Sequence, residues 1–186
     1  MTPVGVASAA PMRNDTRAPR WYLWLIASLA VVVVDQITKA AMLATFRPGE
    51  FKAFTSFFSL VLSFNTGAAF SFLAGESGWQ RWLFAGIAAG ATLLIVWMLR
   101  RGRDAWYCLG LALILGGALG NLWDRLTMGA VVDFLLFHYR DWFFPAFNVA
   151  DSAITVGAAL LIFDSFRQRH AATAYAREPD APKGPA

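Results

Sequence analysis

Four stretches of this chain are too apolar and too long to be stable outside a lipid bilayer, and they restrict its fold more than any other feature. They cover residues 21–43, 82–99, 105–123 and 149–166. Roughly 18 or more consecutive apolar residues are enough to carry a helix across the hydrocarbon core. The rest follows from that solvent. Only 15% of the 186 residues are charged, against about 25% in soluble domains, and the deficit falls within the four stretches. The length allows one domain and no second globular core.

The charges that remain are placed by topology. Arg13, Arg17, Arg20, Arg100, Arg101, Arg103, Arg167 and Arg169 crowd the short flanks on one side of the expected bundle. Lys39, Arg47, Lys52, Arg81, Arg125 and Arg140 are spread thinly over the longer connections on the other. The positive-inside rule then puts both termini in the cytoplasm and both long connections outside. The net charge of +4 therefore belongs to membrane orientation, and no nucleic-acid partner is expected. Residues 1–20, with Pro3, Pro11 and Pro19, read as a disordered cytoplasmic tail. Residues 21–166 read as the membrane domain, and residues 167–186 as a polar cytoplasmic tail. The first apolar stretch is too long for the core of a cleavable signal peptide.

The connection after the first span is rich in Phe, Ser, Thr and Val over residues 51–72, with turn signals at Pro48-Gly49 and Asn65-Thr66-Gly67. It predicts short strands forming a small sheet at the membrane surface. Residues 124–147 read as a second outer connection. The glycines at 86, 90, 110, 116, 117 and 120 read as close-packing positions between helices. Trp21, Tyr22 and Trp24 fit an interfacial belt.

Ionisable residues at membrane depth are costly, so each is a candidate for function. Asp35, Lys39, Asn65, Asn121, Asp124, Arg125, Asp133, Asn148 and Asp151 all fall at outer span ends or in outer connections. In a bundle they converge on one polar pocket. Asp35 and Lys39, four apart on a helix, share a face and can pair. The histidines, His138 and His170, and the single Cys108 do not supply a nucleophilic triad, a disulfide or the His/Cys ligand set that zinc takes. Carboxylates remain. Two facing Asp side chains share a proton, one acting as acid and the other as base, and so activate water. Asp133, between apolar neighbours, and Asp151, at the start of the fourth span, are the preferred dyad. Asp124 is the competing choice, read as held ionised by Arg125 and acting with Asn121 in support. The bland readings are an ion pair for Asp35 and Lys39, an N-cap for Asn148 and a dipole-stabilised carboxylate for Asp151. A proton-coupled membrane transporter is the alternative function, but it calls for polar residues through the whole bilayer depth. Here only Asp164 lies near the inner side.

The blocks Asp35-Gln36-Ile37-Thr38-Lys39, Asn65-Thr66-Gly67-Ala68-Ala69-Phe70-Ser71, Gly120-Asn121-Leu122-Trp123-Asp124-Arg125, Val131-Val132-Asp133-Phe134 and Phe147-Asn148-Val149-Ala150-Asp151-Ser152 occur in this order. On them the chain resembles the lipoprotein signal peptidases, the signal peptidase II family, over residues 21–166. The resemblance implies a mainly α membrane protein of four transmembrane helices with a small extracytoplasmic β-cradle and a short helix over the pocket. It implies an aspartic endopeptidase of the bacterial inner membrane, inhibited by globomycin, that cuts diacylglyceryl-modified prolipoproteins before the lipidated cysteine. Asp133 and Asp151 match its dyad. Asp35, Lys39, Asn65, Gly67, Asn121, Asp124, Arg125, Asn148 and Ala150 match residues that bind substrate or brace the pocket. No metal or organic cofactor is expected, and the chain is expected to act as a monomer among membrane lipids.

Overall fold

The computed structural model describes residues 20–66, 79–101 and 104–177. A 3₁₀ turn, Trp21–Leu23, leads into α1, Trp24–Thr45. Strands β1, Phe51–Ala53, and β2, Phe58–Asn65, follow, then α2, Trp79–Arg100, and α3, Ala105–Thr127. Strands β3, Val131–Tyr139, and β4, Trp142–Phe143, precede α4, Val149–Arg177. Among the described residues, four helices are long and apolar enough to span a membrane, at Trp21–Thr45, Arg81–Arg100, Ala105–Thr127 and Val149–His170. The expected tail at residues 1–20 lies almost wholly outside the described residues. Helix α4 runs beyond residue 166, where the sequence reading ends the fourth span.

Helix α3 is the hub. It packs against α1, α2 and α4, and half of its span is buried, whereas the other spans mostly face outward. Its small residues make this possible. A Cβ on Gly110 would sit 2.9 Å from the Gly157 carbonyl oxygen of α4, one on Gly116 would sit 2.6 Å from the Ser28 carbonyl of α1, and one on Gly117 would overlap the Ala150 carbonyl. Backbone-to-backbone approach of this kind replaces the missing hydrophobic drive between helices in lipid. Gly86 and Gly90 of α2 have open space where a Cβ would go, which corrects their reading as packing positions. Lys39, on α1, and its acidic partners close the end of the same interface nearest the sheet. The opposite end is sealed by Ile95, Leu99, Cys108, Leu111 and Leu115.

The strands form one antiparallel sheet in the order β1-β2-β3-β4. The sequence pattern revealed β1 and β2, but the strands β3 and β4 lie within what reads as a plain connection. The reason is visible in β3. Val131, Val132, Asp133 and Phe134 are all buried, because this end of the strand is covered on both faces. It therefore lacks the alternation that marks a half-buried strand. A register shift between Leu60 and Ser63 brings Ser63 opposite Asp133 and Asn65 opposite Val131, so Asn65 and Asp133 become diagonal neighbours. His138, read as a loop residue, lies on β3 with Nε2 2.8 Å from the Ser59 hydroxyl.

Candidate active site

Helix α4 begins with a capping box. The Asn148 side-chain oxygen accepts from the Asp151 backbone N–H at 2.9 Å, and the Asp151 carboxylate accepts from the Asn148 N–H at 3.2 Å. Such a box satisfies donors that the first helical turn leaves free. Asn148 is therefore the N-cap of α4, and the same atoms do more. The Asn148 amide nitrogen donates to Asp133 Oδ1 at 2.7 Å, with Asn121 Oδ1 and the Val132 carbonyl oxygen also within 3.2 Å. One residue thus joins Asp133 to Asp151, so the turn that starts α4 also brings the strand carboxylate and the helix carboxylate to one place.

Each acid receives two donors. Asp133 takes Asn148 on Oδ1 and the Asn65 amide on Oδ2 at 3.0 Å. Asp151 takes the Asn121 amide on Oδ1 at 2.7 Å and the Asn148 backbone on Oδ2. Their exposures differ. Asp133 is 2% exposed, whereas Asp151 is half-buried and lines a cavity of about 510 Å³ with Phe144, Phe147, Ser152, Thr155 and Val156. Burial, with the Asp151 charge adding to it, pushes the Asp133 carboxyl up from 3.8 to about 6, against the Asn65 and Asn148 hydrogen bonds and the Lys39 charge, which pull it down. An acid in that range can hold a proton near neutrality and still release it.

Behind this pair lies a second cluster. The Lys39 ammonium meets Asp35 Oδ2 at 2.7 Å, Asp124 Oδ2 at 2.8 Å and Asn121 Oδ1 at 3.0 Å. The Ala150 N–H donates to Asp35 Oδ1 at 2.9 Å, and the Val132 N–H donates to Asp124 Oδ2 at 3.2 Å. Gln36, which residue-by-residue reading leaves without a role, donates to Asp124 Oδ1 at 2.9 Å. A lone polar side chain beside Asp35 in an apolar stretch is the signal that could have found it. The cluster ties α1, α3, β3 and the start of α4 together. Asp35, Lys39, Asp124, Asn148 and Ala150 are at most 1% exposed, so they brace the site and do not form its accessible wall. The cation that holds Asp124 is Lys39, where the sequence suggests Arg125. Adjacent residues on a helix point about 100° apart, and Arg125 instead donates to the Asn121 carbonyl at 3.1 Å and lies over the Phe84 ring. Asp124 and Arg125 also belong to α3 itself, not to the connection after it. Gly67, expected at the pocket, lies outside the described residues, and the short covering helix has no counterpart among them.

The fold and this junction define a polytopic membrane protein with a buried cluster of acids beside a cavity where its helices meet a small sheet. The comparisons give that class a family. Residues 27–167 match the family model described as signal peptidase (SPase) II, and the chain belongs to that family, which makes it a membrane protease. A lipoprotein signal peptidase of Burkholderia ambifaria (strain MC40-6) is 59% identical over 146 residues, covering 78% of this chain and 88% of that one. A lipoprotein signal peptidase of Burkholderia vietnamiensis (strain G4) is likewise 59% identical over 146 residues, with the same coverage. Among solved structures, a bacterial membrane enzyme determined by the in meso method at 2.3 Å resolution superposes with a TM-score of 0.70 at 26% identity. It covers 89% of this chain and 95% of its own. A second, at 1.9 Å resolution, gives 0.69 at 28% identity, covering 77% of this chain and 92% of its own.

Proposed function

We propose that this chain removes the signal peptide from diacylglyceryl-modified prolipoproteins by aspartic hydrolysis, with Asp133 and Asp151 as the catalytic pair. Family membership makes it a signal peptidase acting on lipoprotein precursors within a membrane. The observation that carries the mechanism is Asn148, which bonds both carboxylates and so holds them as one unit at the edge of an open cavity.

The chemistry follows from the pair's protonation. With a single proton between two acids, the ionised carboxylate takes a proton from water and the resulting hydroxide attacks the scissile carbonyl carbon. The protonated partner gives its proton to the carbonyl oxygen. Collapse of the tetrahedral intermediate breaks the C–N bond, and a proton passes to the departing amine. The titration belongs to the pair, but burial favours the proton on Asp133 and leaves Asp151, at the cavity wall, facing the water.

The surroundings suit a lipid-bearing peptide. The cavity runs from the aromatic sheet edge along the first two turns of α4, so an apolar chain can enter from the bilayer without crossing water. Asn65 reaches the pair from the sheet, and Arg125 lies close enough for its charge to be felt there. Both are suited to holding the peptide backbone. Phe51, Phe54, Phe57, Trp142, Phe143 and Phe144 are exposed on the sheet and its edges, where aromatic rings settle at a membrane interface. We place the site at the outer face of a bacterial inner membrane, both termini in the cytoplasm, and the enzyme as a monomer. Transport is the weaker reading. Asp164, at the opposite end, is bonded to Arg167 and Gln168, and Arg167 pairs in turn with Asp104 at the start of α3, so these groups form a cluster confined to that end of the bundle.

The test is cleavage of a purified lipidated precursor, with the cut mapped by mass spectrometry. Asp133→Asn and Asp151→Asn should each abolish it while the protein stays inserted and folded. Retained cleavage by either variant removes that residue from the pair.

A further inference from the structure

Lys39 has no contact with the cavity, yet one hydrogen bond connects it to an acid that does. The residue is 1% exposed and the three N–H bonds of its ammonium meet three acceptors, Asp35, Asp124 and Asn121. The first two close an ion cluster with a net charge of minus one. The third does something else. Asn121 Oδ1 takes both the Lys39 ammonium at 3.0 Å and the Asn148 amide at 3.2 Å. Neither neighbour can accept a hydrogen bond. A flipped Asn121 would aim its own N–H₂ at an ammonium, which is excluded by charge as well as by donor count. The Asn121 amide nitrogen must therefore face the other way, where it donates to Asp151 Oδ1 at 2.7 Å.

We propose that Lys39 is a positioning residue for hydrolysis: it fixes the Asn121 amide so that its N–H holds the Asp151 carboxylate in the orientation that receives the water proton. This rests on the reading of Asp151 as a member of the catalytic pair. The lysine's role is distinct from joining helices, which Asp35 and Asp124 already do through Gln36, Ala150 and Val132. A misplacement of about 1 Å in a reacting group can cost on the order of 100-fold in rate.

Two variants isolate the effect. Lys39→Met combined with Asp35→Asn removes the ammonium and keeps the cluster at minus one, so no uncompensated charge is added at membrane depth. Lys39→Arg keeps the charge, but its planar guanidinium cannot meet three converging acceptors as a tetrahedral ammonium does. Each is assayed for kcat, KM and thermal unfolding on the full chain in lipid, beside the parent, Asn121→Ala and the combination of Asn121→Ala with the Met/Asn pair. The expected result is kcat lowered about 10- to 100-fold with KM within twofold of the parent. The combined variant should be no slower than Asn121→Ala alone, because a relay broken once cannot be broken again. The inference is overturned if either folded Lys39 variant keeps the parental kcat, or if the losses multiply in the combination. If the Met/Asn pair does not fold, the Arg variant decides by the same criteria. A parent that does not cleave, or an Asp151→Asn that does, would instead overturn the reading of the pair.

Discussion

Gly117→Ala adds one methyl group at the place where α3 crosses the start of α4, and its effect on activity can be worked from the contacts. The new Cβ would overlap the Ala150 carbonyl and stand 2.7 Å from Ile154 Cγ1, where ordinary contact begins at 3.4 Å. The carbonyl belongs to backbone and cannot rotate aside, so the two helices must part by roughly 1 Å. Overpacking of this kind costs about 1–3 kcal/mol in stability, a loss the rest of the bundle can absorb. The site cannot absorb it so easily. Asn121 lies one helical turn beyond Gly117 on the same face, and its 2.7 Å bond to Asp151 crosses this very interface. A displacement of about 1 Å there is worth on the order of 100-fold in rate. Steady-state cleavage of a lipidated precursor, run beside thermal unfolding in the same lipid, should therefore show kcat falling far more than stability. Gly86→Ala, on α2 with open space at its Cβ, is the matched control and should leave both unchanged. Full activity in Gly117→Ala would refute the claim that α3–α4 contact sets the geometry of the pair.

Further predictions follow from single residues. The folded protein holds the Asp133 proton up to about pH 6, whereas the unfolded chain releases it near 3.8. Stability should therefore fall as pH rises from about 4 to 6, by up to roughly 3 kcal/mol, and the slope should be absent in Asp133→Asn when unfolding is followed across that range. Asn148→Ser keeps a capping oxygen but loses the amide donor to Asp133. Both variants should unfold more easily, Asn148→Ala by about 1 kcal/mol more than Asn148→Ser because it also loses the cap, while cleavage falls in both. Cysteines introduced at Thr55 and at Gln168 should label from opposite sides of a sealed vesicle, Thr55 from outside. Labelling of both from one side would overturn the proposed topology.

The four spans are legible because lipid demands long apolar runs and leaves little room for alternatives. The ends nearest the sheet are less so. Asp124 and Arg125 read as the start of a loop because they are charged, yet α3 continues to Thr127, since Lys39 neutralises Asp124 from another helix. That pairing joins residues far apart in the chain, and nothing local announces it. The Asp35–Lys39 pair is readable because it sits one helical turn apart. For the same reason β1 and β2 show through their turn residues, while β3 is hidden by burial on both faces. The candidate residues could be gathered from the sequence, but their division of labour could not. Ala150 reads as a site residue, and its part in the structure is the backbone N–H it gives to Asp35. The link made by Asn148 needs the register of β3 against the first turn of α4.

The most direct measurement on the paired acids is a ¹³C titration of the aspartate side-chain carboxyls in the folded protein, assigned by substitution at positions 133 and 151. Asp133 should lose its proton at about pH 6, and Asp151→Asn should lower that midpoint, because the charge at position 151 helps to raise it. An Asp133 midpoint near 3.8, or one that does not move in Asp151→Asn, would contradict the pairing of the two acids.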